Sequence, residues 1–320
     1  VTDHRDIRTD RASDDDPGAE HGDRRVMHDR LPADDPPAAG RADARAGHAA
    51  RDAGPARGSD VVRQVVVLVG SLVAIVAAFI GSGATGGEDQ TEVGDGALAA
   101  DATLVAPAES AFSIWSVIYT GLLAYAIWQA LPSRRADPRQ RRVGWLVLAS
   151  MLLNALWIGV VQAGLLGLSV PVIVALLVVL ALVHVRLVTS RPRGLVETVV
   201  LDGTLGLYLG WVSVATVANT AAVLTSAGWT ELGLGAEAWA VIVIAVAALV
   251  GVGLAVHSRG RLAIGAAIAW GLAWIAVARA TDEPRSAVTA VAAGTAAAAV
   301  VAATVALRAL RARGEPARRR

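Results

Sequence analysis

The sequence predicts an all-α, polytopic membrane helix bundle of about eight transmembrane helices. Three observations predict it. Of the 320 residues, 54% are hydrophobic, and the mean hydropathy is +0.51, values that soluble domains rarely combine. Eight apolar stretches each come near the roughly 20 residues that a bilayer-crossing helix needs. The segments between those stretches alternate in charge, so the net charge of +1 hides a sharp local segregation.

The chain has no Cys and no Lys, and all 29 basic residues are Arg. Disulfides, thiolate chemistry and Cys-based metal sites are thereby excluded. Residues 1–60 read as a disordered, charged tail. Clusters such as Asp14-Asp15-Asp16 and Asp34-Asp35-Pro36-Pro37 carry too little apolar surface to offset the entropy of ordering. His4, His21, His28 and His48 lie in this tail without metal-ligand spacing. Val1 stands where Met is usual, and Met27 is a candidate downstream start.

The spans are expected at Val61–Ile80, Ala111–Leu131, Val143–Ala163, Leu168–Val188, Val199–Leu224, Trp239–Val256, Leu262–Ala278 and Ala287–Leu307. The first is read as an uncleaved helix rather than a signal sequence, since a long charged tail is a poor n-region. The seventh is the shortest. Arg51, Arg57 and Arg63 precede or open the first span, and the connection after it carries Glu88, Asp89, Glu92, Asp95, Asp101 and Glu109 but no Arg. The next connection holds Arg134, Arg135, Arg139, Arg141 and Arg142. Arg186, Arg191 and Arg193, then Arg259 and Arg261, then the C-terminal arginines follow at alternate connections. Positive charge favours the cytoplasmic side, so both termini are expected there, in a bacterial cytoplasmic (inner) membrane. Only the connection at Arg279–Arg285 is mixed.

Three spans carry polar and aromatic residues on one face. The second presents Phe112, Trp115, Ser116 and Tyr119, and the third Ser150, Asn154 and Trp157. In the fifth, Tyr208, Trp211, Ala215 and Asn219 share an arc about 80° wide at roughly 100° per residue. Such groups need partners in hydrocarbon, so these faces are expected to point into protein or onto a ligand. Convergence would give an aromatic pocket with sparse orienting polar atoms, the usual character of small-molecule sites.

These segments resemble the TspO/MBR family, the tryptophan-rich sensory proteins related to the mitochondrial translocator protein. Trp115-Ser116-Val117-Ile118-Tyr119 resembles the Trp-Thr-x-x-Tyr core of that family's second helix. Leu153-Asn154-Ala155-Leu156-Trp157 matches Leu-Asn-x-x-Trp of its third, and Tyr208 through Asn219 matches the fifth-helix motif. The resemblance implies a five-helix core over residues 61–225, a three-helix extension over 226–309 and a basic tail over 310–320. It further implies binding of a tetrapyrrole such as protoporphyrin, or of sterols or synthetic ligands as in some members. Trp115, Tyr119, Asn154, Trp157, Tyr208, Trp211, Ala215 and Asn219 are the ligand-binding candidates. Trp115 and Trp211 correspond to the pair implicated in light-dependent porphyrin degradation by some bacterial members. Leu207 replaces the family's Pro before Tyr208, and of its Pro-rich stretch before the second helix only Pro107 remains.

The expected function is therefore sensory or regulatory binding of a hydrophobic, planar ligand, with no catalytic residue, metal or required cofactor assigned. A transporter of a small hydrophobic or amphipathic solute is the second reading, and a light-dependent porphyrin-degrading enzyme the third. No acidic residue lies near mid-span apart from Asp202 at a span end, which disfavours proton coupling. The expected partners are membrane lipid, the small-molecule ligand and, through the Ala/Gly-rich eighth span, a second copy in a homodimer. The short Arg clusters are accounted for by topology, so no nucleic acid is expected.

Overall fold

A computed structural model describes residues 55–82, 96, 98–229 and 233–314. The expected tail up to residue 54, the acidic residues Glu88, Asp89, Glu92 and Asp95, Glu231 and the last six residues lie outside that description. The described residues hold eight helices long and apolar enough to cross a membrane. They are α1 (Gly58–Gly81), α2 (Glu109–Ala130, opening with a 3₁₀ turn), α3 (Pro138–Gln162) and α4 (Leu166–Val188). Then come α5 (Leu195–Ser226), α6 (Ala236–Ser258), α7 (Leu262–Thr281) and α8 (Ala287–Arg313).

Local chemistry sets several of these ends. Pro138 occupies the first turn of α3, where its missing N–H costs nothing, and the Asp137 side chain caps the turn by accepting from Arg139 N at 2.8 Å. Asp60 accepts from the Arg57 backbone N–H at 3.0 Å at the start of α1. Arg259, in the left-handed region at φ 54°, and Gly260 turn the chain from α6 into α7. The expected boundaries hold to within a few residues, except that α3 starts five residues earlier and α8 runs six residues further; the span with an unexpected internal feature is α5. That span begins at Leu195 and passes through a π-helical turn, Thr198–Gly203, before its regular part. Hydrophobic periodicity does not signal such a turn.

Helices α1 and α2 pack together, and α1 lies on α3. Contacts then run from α3 to α4, α4 to α5, and α5 to α7, with α6 and α8 packed on α7 and on each other. Helices α3, α5 and α7 have 56% of their apolar windows buried, against a third or less for the rest, so they form the centre. The α5–α7 seam depends on backbone approach. A Cβ on Gly210 would stand 2.5 Å from the Ile264 carbonyl oxygen and 2.8 Å from Ala267 Cβ, and one on Gly206 3.0 Å from Ala263 Cβ. Glycines four residues apart admit this contact, as small residues do in membrane bundles. The last three helices are thus joined directly to the helix that carries the Tyr208–Asn219 face.

The arginine-rich connections gather at one end of the bundle in a buried ionic cluster. Arg139 of α3 donates to Glu197 at 2.6 Å and to both carboxylate oxygens of Asp202 at 2.9 Å, and its Nε reaches Ser190 Oγ. Arg261 donates to Asp202 at 2.6 Å and to the Leu187 carbonyl at 3.1 Å. Asp202 therefore holds α3, α5 and the α6–α7 turn together from the π-helical segment. Arg193 pairs with Asp137 at 2.9 Å beside them. These are loop and helix-end arginines used as structural partners.

The tryptophans near the span ends differ in their surroundings. Trp145 and Trp229 are exposed. Trp128 is buried and lies under the Arg134 guanidinium, 4.7 Å from the ring centroid. Trp270 and Trp274 meet edge-to-face at 5.6 Å within α7.

Candidate functional site

Helices α2, α3 and α5 bring their aromatic faces together. Trp115 is the hub. It stacks on Tyr119 with centroids 5.1 Å apart, and meets Tyr208 edge-on at 5.9 Å and Trp211 edge-on at 6.3 Å. Phe112 adds a second edge contact to Trp211 at 5.7 Å. The i, i+3 and i, i+4 spacings that put Phe112, Trp115 and Tyr119 on one side of α2 thus meet the face of α5 carrying Tyr208 and Trp211. Edge-to-face pairs of this kind contribute roughly 0.5–1.5 kcal/mol each beyond their buried area.

Polar atoms fix the cluster from behind. Asn154 Nδ2 donates to Tyr119 Oη at 2.9 Å, joining α3 to α2. The Tyr208 hydroxyl donates to the Ser150 carbonyl at 3.1 Å, joining α5 to α3. Asn219 Nδ2 donates to Ser169 Oγ at 2.9 Å, joining α5 to α4. Tyr119, Asn154 and Tyr208 also line a small gap against Ala74 and Ile75 of α1.

In front of the cluster is a cleft. Its walls are Trp157 of α3, Trp211, Val214, Ala215, Ala218, Asn219 and Ala222 of α5, and Phe112 at the start of α2. Its remaining wall is the segment before α2, through Leu98, Ala99, Thr103, Ala106 and Pro107. The cleft with its open mouth measures ≈ 590 Å³. Of the eight sequence candidates, Trp157, Trp211, Ala215 and Asn219 stand on the cleft. Trp115, Tyr119, Asn154 and Tyr208 form the layer behind it.

Two of those walls carry unmet hydrogen-bond donors. Trp157 and Trp211 are 8% and 1% exposed, and neither indole Nε1 has a partner among the described residues. The buried Thr103 Oγ1, on the same cleft, has none either. A buried donor without an acceptor costs about 1–3 kcal/mol, and such groups in a folded interior call for an explanation. Three of them on one apolar cleft suit a ligand that brings acceptor atoms.

The residues that sequence reading did not single out here are Thr103, Ala106 and their neighbours. They belong to a connection read as an acidic loop. The available signal was the short apolar run Leu104-Val105-Ala106 inside it, in which Val105 and Ala106 are buried.

Eight helices long and apolar enough to cross a membrane, with an aromatic cleft walled by α2, α3, α5 and the segment before α2, define a multi-pass membrane protein. A family model described as TSPO-like protein matches residues 64–306. The chain belongs to that family. The match takes in the last three helices as well as the first five. No curated protein and no solved structure matches the chain.

Proposed function

We propose that this protein binds a flat, hydrophobic ligand of the tetrapyrrole class in the cleft between α2, α3 and α5, with a sensory or regulatory consequence. The observation that carries the reading is the pair of indole N–H groups without an acceptor among the described residues, Trp157 Nε1 and Trp211 Nε1, on walls made mostly of rings and small apolar side chains. A porphyrin supplies a ring system for the aromatic walls and carboxylate or ring-nitrogen acceptors for the donors. Ala215, Ala218 and Ala222 leave α5 flat enough for a planar ligand. Leu98, Ala99, Thr103, Ala106 and Pro107 close one side of the cleft, so the ligand enters past the 98–107 wall.

The charge alternation supports a bacterial cytoplasmic membrane with both termini inside. In the dark, titration of detergent-purified protein with protoporphyrin is expected to give saturable binding, followed by the shift of the porphyrin absorbance. Trp211→Phe, which keeps a ring and removes the donor, is expected to weaken it by roughly three- to tenfold. Absence of saturable binding would overturn the tetrapyrrole reading and bring solute uptake into sealed vesicles forward as the next assay.

The edge-on contact of Trp115 and Trp211 at 6.3 Å favours a second reading, photo-oxidation of the bound porphyrin. It requires light-dependent loss of porphyrin absorbance that disappears in Trp115→Phe.

A further inference from the structure

We infer that Arg279 of α7 is a positioning residue for the cleft: it anchors the 98–107 wall, so the last three helices complete the ligand site. Arg279 lies at the acidic end of the bundle and is 1% exposed. Its Nη1 donates to the Pro284 carbonyl at 2.9 Å and its Nη2 to the Ala100 carbonyl at 2.5 Å. One guanidinium thus ties the α7–α8 turn to the segment that walls the cleft. Two further bonds from α7 continue the attachment toward α2. The Ala108 N–H donates to the Trp274 carbonyl at 3.3 Å, and Trp270 Nε1 donates to the Ala111 carbonyl at 2.9 Å.

These three bonds bracket the wall residues Thr103, Ala106 and Pro107. The α7–α8 turn is itself held, because Ser286 N–H donates to the Arg279 carbonyl at 3.1 Å and Ser286 Oγ to Glu237 of α6 at 2.5 Å. The anchor therefore draws on α6, α7 and α8 together. An Arg suits the position because its planar fork reaches two carbonyls in fixed directions, which a Lys ammonium does not. Hydrogen bonds from a charged donor are the stronger kind, and Arg279 is the charged group among the three attachments. The geometry stands without any ligand. Its consequence for binding rests on the reading of the cleft as the ligand site.

The absence of Cys makes the test clean. Ala106→Cys places one thiol on the wall, and its rate of reaction with a hydrophilic maleimide in detergent reports how often the wall opens. Adding Arg279→Gln is expected to raise that rate about tenfold or more. Trp270→Phe, which removes one attachment and keeps the ring, is expected to raise it less. Ser226→Cys, exposed at the same end, is expected to label equally in every background, and Arg285→Gln is expected to change neither rate. Helix content and elution volume identify variants that have kept the fold. A folded Arg279→Gln protein whose Ala106→Cys rate stays within twofold of its parent would overturn the inference. If Arg279→Gln does not fold, an unchanged rate in folded Trp270→Phe would overturn it. No porphyrin is present in this assay, so its failure is separate from failure of the ligand reading.

Discussion

Trp157 and Trp211 hold an N–H apiece without an acceptor among the described residues, and that local cost gives the pair a measurable signature. Replacing Trp157 by Phe removes the unmet donor and keeps most of the ring. Thermal stability without ligand is therefore expected to stay level or rise, while porphyrin affinity falls by roughly three- to tenfold. Loss of stability together with unchanged affinity would mean that the indole serves packing alone. Asn154 and Asn219 belong to another group. Each donates from its amide nitrogen to a neighbouring helix, through Tyr119 and Ser169, so both tie helices together. At this scale the sequence displayed which residues share a face. It could not display which members of a face would be consumed by partners on other helices, because that depends on helix rotation and crossing. Arg279 shows the same limit. It reads as part of a mixed connection, yet it is a buried residue of α7 with two carbonyl partners.

Among the elements, α5 carries the greatest demands. Its Gly206 and Gly210 meet α7, its Tyr208 and Trp211 meet α2 and α3, and its π-helical start places Asp202 between Arg139 and Arg261. Gly210→Val would drive a side chain into the Ile264 carbonyl. It is expected to cost about 1–3 kcal/mol or more and to lower the thermal midpoint in detergent. Gly253→Ala, with nothing within 4 Å of the added carbon, is the matched control and is expected to be neutral or mildly stabilising. Asp202→Asn leaves the buried Arg139 with Glu197 as its one remaining carboxylate and the half-buried Arg261 facing a neutral amide. Breaking a buried ion pair from one side costs about 3–5 kcal/mol, so this change is expected to unfold the arginine-rich end first. Faster backbone hydrogen exchange in the first turns of α3 and α7 would report it. Span number and position were legible because bilayer thickness sets helix length and apolar side chains mark it. The π-helical turn was not legible, since hydrophobic periodicity carries no mark of it, and neither were the partners Asp202 takes from α3 and the α6–α7 turn.

The described residues form an eight-helix bundle in which α7 packs on α5 and on the start of α2, with α6 and α8 packed on α7. Charge alternation and an even span count were readable along the chain. The attachment of α7 to the wall before α2 was not, because the partners Ala100 and Arg279 are 179 residues apart and one of them contributes only a backbone oxygen. The family match over 64–306 agrees with a unit that includes those later helices. The most direct test of the account is a footprint of the ligand on the cleft, using the Ala106→Cys protein and its maleimide labelling rate in the dark. Protoporphyrin is expected to slow labelling saturably, with the same half-saturation as its own absorbance change. Binding that leaves the Ala106→Cys rate unchanged would place the ligand elsewhere and contradict the account.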